Sequence, residues 1–143
     1  MLEVKGIDNG IVIDHISAGN GIRVFNRILA EDIETPVVLL INVESKKLGK
    51  KDIIKLADVF DINLDILGLI DQNITVNVVK DSKIVEKYTA VIPDEVTGLF
   101  SCDNPRCISN SDSYAVPKFK FFEKNGAAKY ICSYCEEITK FRL

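Results

Sequence analysis

The four cysteines of this chain constrain its fold more than any other feature, because they form two close pairs in the last third of the sequence. The first pair lies in "SCDNPRCIS" and the second in "ICSYCEE", which gives the spacing C-x4-C-x24-C-x2-C. Two short loops that each supply two thiolates suit a tetrahedral zinc ion with little backbone strain. The spacing therefore predicts one structural zinc per chain, with ligands Cys102, Cys107, Cys132 and Cys135.

Two alternatives to a metal site are four unrelated buried thiols and two disulfides. The N-terminal stretch "MLEVKGIDNGIVIDH" has no cationic segment followed by an apolar run, so it does not resemble a secretory signal. The longest apolar run, "PVVLLINV", is too short to span a bilayer. We therefore expect a cytoplasmic protein, in which reduced cysteine pairs favour metal over disulfide. His15 is the only histidine and lies far along the chain, so an open, catalytic zinc site is not expected.

Composition and charge predict two small domains. A chain of 143 residues that is 47% hydrophobic and 27% charged is typical of a globular protein with a core. Residues 1–96 carry 11 basic and 16 acidic side chains, whereas residues 97–143 carry 7 and 5. Pro93 and Gly98 bracket a short polar link at this change. The second domain is too short to build much core, so a metal would supply part of its stability.

Strand signals flank the cysteines of the second domain. The segments "YAVPKFKFF" and "AAKYIC" are rich in aromatic and β-branched residues and predict a small antiparallel β domain. We expect such a zinc-stabilised module to bind another macromolecule.

The first domain shows alternating strand and helix patterns. "GIVIDHI" predicts a strand, and "PVVLLINV" predicts a buried strand. "NLDILGLID" predicts a helix with Asn63 as its N-cap, and "ITVNVVKDSKIVEKYTA" predicts a hairpin around Asp81–Ser82. A further helix is predicted in "GNGIRVFNRILAE", where helical spacing relates Ile22, Phe25, Ile28 and Leu29.

The segment "KDIIKLA" decides the topology, and its pattern fits either a strand or a helix. If it is a strand, the order becomes β-α-β-β-α-β plus one more strand. That order is a ferredoxin-like α/β sandwich, so the whole chain is of the α+β class.

Polar residues of the first domain suggest a binding site rather than catalysis. Asp14–His15 could serve as a general base, but no serine or cysteine nucleophile is evidently paired with them, and the chain has no phosphate-binding P-loop. Lys51 and Lys55 share a face whether their segment is helix or strand. The plain alternatives are a structural Asp-His pair and a solvated charged face.

The hairpin bears on a further pair of polar residues. A three-residue loop at Asp81–Lys83 would place Asn77 opposite Lys87, whereas a two-residue loop would break that pairing. Lysines that pair with phosphates, together with Asp, His and Asn that hydrogen-bond a sugar or base, form a nucleotide site. Since no cleavage machinery accompanies them, the site is typical of a sensor.

Four segments, in order along the chain, resemble the regulatory chain of aspartate carbamoyltransferase: "GIVIDHI", "LGKKDIIK", "TVNVVKDSKIVEK", and "CDNPRCISN" with "CSYC". The resemblance implies a non-catalytic regulatory subunit of pyrimidine biosynthesis, with "KDIIKLA" as a strand. It implies an allosteric domain over residues 1–96 that binds CTP, ATP and, as a further candidate, UTP. It also implies that residues 97–143 dock on a catalytic chain, that regulatory chains pair as homodimers, and that neither membrane nor nucleic acid is a partner.

The resemblance also implies which residues form the effector site. The polar candidates are Asp14, His15, Lys51, Lys55, Asn77 and Lys87. The candidate walls of the base and ribose pocket are Val4, Ile7, Val12, Val79 and Ile84. Ser82 stands where relatives can carry an aromatic residue, Lys5 stands where they can carry an acid, and the N-terminal lead is a few residues short.

Residues beside the predicted zinc ligands are candidates for contact with a catalytic chain. These are Asn104, Tyr134 and Glu136, while Arg106 and Glu137 look like departures from relatives. The alternative function is a zinc-ribbon protein that binds nucleic acid. It would need a basic aromatic surface, for which "KFKFFEK" is the candidate, and the net charge of +2 over residues 97–143 is weak for that role.

Overall fold

A computed structural model of the chain describes residues 6–29, 33–60, 62–125 and 127–141. The chain divides into two compact units, Met1–Ala90 and Val91–Leu143. This division lies earlier than the boundary predicted between residues 96 and 97. The reason is that the strand Glu95–Thr97 pairs with Lys118–Asn125 and so belongs to the second sheet.

Within its described residues, the first unit contains a five-stranded sheet and two helices. In chain order these elements are β1 (Gly10–Ser17), α1 (Gly21–Leu29), β2 (Val37–Ser45), β3 (Gly49–Ala57), α2 (Leu64–Ile70), β4 (Thr75–Lys80) and β5 (Lys83–Thr89). The strand order is β2-β3-β1-β4-β5, and all neighbouring pairs are antiparallel. The predicted ferredoxin-like order with one extra strand is confirmed, and the ambiguous segment "KDIIKLA" lies in strand β3.

One face of this sheet is covered by the helices and carries the core. Alternate residues of the three inner strands point to it, because successive side chains of a strand point to opposite faces. The buried side chains of these strands are Ile11, Ile13, Ile16, Ile54, Leu56, Val76 and Val78. They belong to the same cluster as Val24, Ile28 and Leu67 from the helices. The intervening residues point to the other face of the sheet, where the predicted polar site residues lie.

Burial in this unit differs from the sequence pattern in two elements. Of the residues at helical spacing in α1, Ile22 is 53% exposed, whereas Val24, which was not among them, is buried. Phe25 is only partly buried, and Ile28 lies in the core. The segment "PVVLLINV" was expected to form a buried strand, but β2 lies at the edge of the sheet, and Ile41 is 51% exposed.

Both helices of the first unit begin at side-chain acceptors. The buried carboxylate of Asp52 accepts hydrogen bonds from the backbone N–H groups of Gly19 (3.1 Å) and Gly21 (2.9 Å). A Cβ at Gly21 would lie 2.6 Å from an oxygen of that carboxylate, so only glycine fits there. Helix α2 begins after Asn63, whose side chain accepts from the N–H of Asp65 at 3.0 Å. The predicted N-cap is therefore confirmed.

The second unit is a four-stranded antiparallel sheet with an aromatic core. Its strands, in their order across the sheet, are β6 (Glu95–Thr97), β7 (Lys118–Asn125), β8 (Ala127–Cys132) and β9 (Ile138–Lys140). Phe119 and Tyr130 are fully buried, and the Phe100 ring stacks on Phe119 with 4.4 Å between centroids. The hydroxyl of Tyr130 donates to the carbonyl of Pro93 at 2.8 Å. The predicted small antiparallel β domain is confirmed.

No helix among the described residues is long and apolar enough to cross a membrane.

Candidate functional site

The four cysteines of the second unit converge on one point. Their sulfur atoms all lie within 4.8 Å of one another. The Sγ atoms of Cys102 and Cys135 are 3.6 Å apart, as are those of Cys107 and Cys132. A tetrahedral zinc ion with bonds of ~2.3 Å separates its sulfur ligands by about 3.8 Å. The cluster therefore has the size and the donor atoms that such an ion requires.

Backbone N–H groups of both cysteine loops point at the sulfurs. The N–H of Asn104 donates to Sγ of Cys102 at 3.5 Å, and the N–H of Tyr134 donates to Sγ of Cys132 at 3.4 Å. The side-chain amide of Asn110 donates to the carbonyls of Cys102 (3.0 Å) and Asn104 (2.7 Å), which closes the first loop. These donors favour thiolates over thiols and fix the two loops around the cluster.

The pKa values of these thiols show why a cation suits the cluster. Burial raises the pKa of Cys102 to about 12, and burial also raises the pKa of Cys132. A hydrogen bond with Ser109 lowers the pKa of Cys107 to about 7. Four thiolates this close repel one another and three of them are buried, whereas a bound divalent cation stabilises the thiolate form of all four.

The face of the first sheet opposite the two helices, here called the open face, carries a row of directly opposed residues from four strands. Across β3, β1, β4 and β5 these are Lys55, Val12, Asn77 and Lys87. Because opposed residues of antiparallel strands have neighbouring side chains, the row places an amide and two ammonium groups around one small apolar residue. This row contains four of the predicted site residues.

A second polar group lies next to this row, towards the end of β1. The Nζ of Lys51 is 2.9 Å from Oδ1 of Asp14, and both side chains are mostly buried. The Nδ1 of His15 is 2.8 Å from the hydroxyl oxygen of Thr75, which lies opposite Asp14 on β4. The structure thus brings Asp14, His15 and Lys51 together with the row. Thr75 was missed by the sequence analysis, although it lies two residues before Asn77 and so faces the same side.

Two β-bulges shape this face. In β1 the register shifts between Ile13 and Ile16, and His15 adopts a left-handed backbone with φ 55°. In the hairpin, the two-residue turn Asp81–Ser82 was expected to break the pairing of Asn77 with Lys87. The pairing is present because Val85 is an extra residue in β5 that restores the register.

The apolar candidates lie towards the opposite end of the face. Gly10, Val79 and Ile84 form a cross-strand row next to that of Val12. Val79 is buried, whereas Ile84 is 53% exposed. A Cβ at Gly10 would lie 3.1 Å from Cδ1 of Ile7, so the side chain of Ile7 lies beside Gly10 at one end of this row. Val4, the remaining candidate, lies outside the described residues. The face therefore changes from apolar at the Gly10 end to charged at the Asp14 end.

Comparison with known proteins gives the same family for both units. The family model described as the aspartate carbamoyltransferase regulatory chain, allosteric domain, matches residues 2–91. The model described as the metal binding domain of the same chain matches residues 94–142. The chain belongs to the aspartate carbamoyltransferase regulatory chain family.

Curated relatives of this family match the chain over nearly its whole length. The regulatory chain of Clostridium acetobutylicum is 45% identical over 140 residues, covering 98% of this chain and 95% of the relative. That of Clostridium tetani is 45% identical over 141 residues, covering 98% and 97%. That of Bifidobacterium longum is 39% identical over 139 residues, covering 97% and 99%.

Membership of this family confirms the predicted resemblance. The chain is a non-catalytic regulatory subunit of aspartate carbamoyltransferase with an allosteric and a metal-binding domain. A regulatory chain of this enzyme implies a catalytic partner chain. The polar face lies within the residues matched by the allosteric-domain model, and the cysteine cluster within those matched by the metal-binding model. The match argues against the alternative of a zinc-ribbon protein that binds nucleic acid.

Proposed function

We propose that the open face of the first sheet binds nucleoside triphosphate effectors, with CTP and ATP competing for one site and UTP as a further candidate. The observation that carries this proposal is the cross-strand row of Lys55, Val12, Asn77 and Lys87. Lysine ammonium groups attract phosphate oxygens, and the Asn77 amide can both donate to and accept from a sugar or base.

The same geometry favours binding without hydrolysis. Asp14 accepts the backbone N–H of His15 at 2.6 Å and pairs with Lys51, while the ring of His15 contacts Thr75. Both groups that could act as a base are thus engaged with neighbours. A regulatory site needs only that nucleotide affinity differ between two states of the enzyme.

Calorimetric titration of CTP and ATP tests the site. Lys55→Ala and Lys87→Ala should each weaken binding by roughly tenfold to a hundredfold, because one charge-assisted contact contributes ~1.5–3 kcal/mol. Lys83→Ala is the matched control, since Lys83 pairs with Lys80 and points to the other face of β5. Unchanged binding in both site variants, or release of phosphate from either nucleotide, would show the proposal to be wrong.

We further propose that the cysteine cluster holds zinc and that the metal fixes a docking surface for the catalytic chain. The support is a set of exposed side chains in the cysteine loops and in the segment that follows the first loop. Tyr114 is 93% exposed, and Ile108 and Tyr134 are also exposed. The hydroxyl of Tyr134 donates to the carbonyl of Val116 at 2.9 Å, which ties the second cysteine-bearing loop to the segment that leads into β7. Exposed aromatic side chains held on rigid loops are typical anchors of protein interfaces.

The polar candidates surround the same loops. Glu136 has a left-handed backbone with φ 64°, and its N–H donates to the carbonyl of Cys132 at 3.0 Å. Asn104 is partly buried, whereas Arg106 and Glu137 are exposed. These residues lie within two positions of a cysteine, so binding of a metal by the cysteines would fix their backbones. We propose that they form the polar rim of the interface.

Removing the metal from a reconstituted complex with catalytic chains tests the docking surface. Chelation should release free catalytic trimers that stay active but no longer respond to nucleotides, as measured by sedimentation and activity. Tyr114→Ala should weaken assembly by about tenfold or more while keeping the metal. Lys124→Ala, an exposed change elsewhere in the unit, is the control. A complex that stays assembled and responsive after chelation would contradict the docking role.

We also propose that regulatory chains pair and bridge catalytic trimers in the cytoplasm. The sheet of the first unit has two edge strands, β2 and β5. Every residue of β5 is exposed, and Ile41 in β2 is exposed as well. An edge strand with exposed apolar side chains is a ready site for pairing with a second copy.

A further inference from the structure

The lead segment Gly6–Asn9 is attached to the tip of the β4–β5 hairpin. The backbone N–H of Ser82 donates to the carbonyl of Asp8 at 2.8 Å, and the hydroxyl of Ser82 donates to Oδ1 of Asp8 at 2.7 Å. The N–H of Asp81 donates to the side-chain oxygen of Asn9 at 3.1 Å. On the other side, the N–H of Asp58 donates to the carbonyl of Asn9 at 3.0 Å. The lead therefore bridges the end of β3 and the hairpin tip.

The hairpin turn does not carry the residue that its backbone prefers at the second position. Asp81 and Ser82 both adopt left-handed backbones, with φ 51° and 64°. A two-residue turn of this kind favours asparagine, aspartate or glycine at its first position and glycine at its second. Ser82 is thus a poorer choice than glycine for the turn itself. What it adds is a hydroxyl, and that hydroxyl is bonded to Asp8.

This attachment lies at the apolar end of the open face. Ile7, within the lead, lies beside Gly10, which belongs to the row of Gly10, Val79 and Ile84. Gly10 is required for this arrangement, because a Cβ there would lie 2.0 Å from the carbonyl oxygen of Leu56. Lys55 and Lys87 lie in the neighbouring row, and Lys51 lies beyond it. In the proposed site the phosphates of a nucleotide therefore bind at these lysines, and its base lies towards the lead.

We propose that Ser82 and Asp8 are positioning residues that hold the lead as the wall of the base pocket, and so set the affinity for the base. This proposal rests on the proposed nucleotide site. The hydroxyl bond adds a side-chain restraint on Asp8 to the three bonds made by backbone N–H groups. Without it, the lead keeps those three bonds but is less restricted, so nucleotide binding must restrict it further. That smaller entropic cost falls on contacts to the base and not on contacts to the phosphates.

Calorimetry with three probes tests the proposal: CTP, ATP and inorganic tripolyphosphate, which has no base. Ser82→Gly should weaken binding of both nucleotides by about threefold to tenfold, the equivalent of one hydrogen bond, and leave tripolyphosphate binding unchanged. Thermal stability should be equal or higher, because glycine suits the left-handed turn. A purely structural role for Ser82 predicts no loss of affinity in this variant.

Two further variants complete the test. Ser82→Asn should restore most of the nucleotide affinity, since asparagine tolerates the left-handed backbone and offers a donor to Asp8. Asp8→Ala should reproduce the loss seen in Ser82→Gly, and the double variant should lose no more than either single one. Wild-type nucleotide affinity in Ser82→Gly, or an equal loss for tripolyphosphate, would overturn the positioning role. Failure of the unchanged chain to bind either nucleotide would instead overturn the proposed effector site, and this role with it.

Discussion

The first unit buries aliphatic side chains between a sheet and two helices, whereas the second buries a few aromatic rings beside four thiols. Burial of apolar area at ~25 cal/mol per Å² can support a domain of the first kind. A unit of the size of Val91–Leu143 buries too small a fraction of its surface to do so with the same margin. A bound metal can thus stabilise a unit whose chain is too short to bury a large apolar core, and it holds the surface loops rigid at the same time.

The largest expected effect is loss of the metal site. Cys132→Ser should forfeit metal-binding free energy on the order of 10 kcal/mol and unfold the second unit, while the first unit stays folded. Hydrogen-exchange mass spectrometry of the full chain, with elemental analysis for zinc, measures both parts. Ser133→Ala, at an exposed neighbouring position, is the control. If the unchanged protein purified under reducing conditions holds no zinc, or if Cys132→Ser leaves hydrogen exchange in the second unit unchanged, the metal does not stabilise that unit.

A large loss of stability confined to the first unit is expected from Ile54→Ala. Ile54 is fully buried at the centre of the first unit, so the variant should lose about 2–5 kcal/mol of unfolding free energy there. Its zinc content should be unchanged. Ile22→Ala is the matched control, because Ile22 is largely exposed on α1 and should change stability little. Equal losses for both variants in denaturant titrations would show that this unit does not depend on a localised core.

The smallest effect concerns the start of α2. Asn63→Ala removes the acceptor for the N–H of Asp65 and should cost about 1 kcal/mol of unfolding free energy in the first unit. Asn63→Asp keeps an acceptor at the same position and should cost less. If denaturant titrations show the same loss in both variants, the capping bond is not what stabilises this helix end.

Local chemistry made several features predictable from the sequence. The cysteine spacing indicated the cluster, the N-cap followed from Asn63, and the turn at Asp81–Ser82 followed from its position between two strand patterns. Each of these depends on residues that are near one another in the sequence or on ligand geometry. The polar site candidates could be listed for the same reason, although their function was not evident from any single motif.

Features that depend on the position of an element in the fold were not predictable. The apolar run of β2 suggested full burial, but whether a strand lies at the centre or the edge of a sheet is set by topology. The pairing of Asn77 with Lys87 depends on the bulge at Val85, for which the local sequence has no signal. The contact of His15 with Thr75 joins residues on two strands and requires a left-handed backbone that the sequence does not indicate.

The adjacent residues Lys51 and Asp52 connect the two faces of the first sheet through one strand. The side chain of Lys51 reaches Asp14 on the open face, and that of Asp52 points the other way. Besides the start of α1, the Asp52 carboxylate accepts the N–H of Asn42 at 3.0 Å, at the irregular point of β2. One peptide bond of β3 therefore joins the residue that pairs with Asp14 to the residue that anchors the start of α1 and the irregular point of β2. An anion that competes with Asp14 for Lys51 would act one residue away from that anchor.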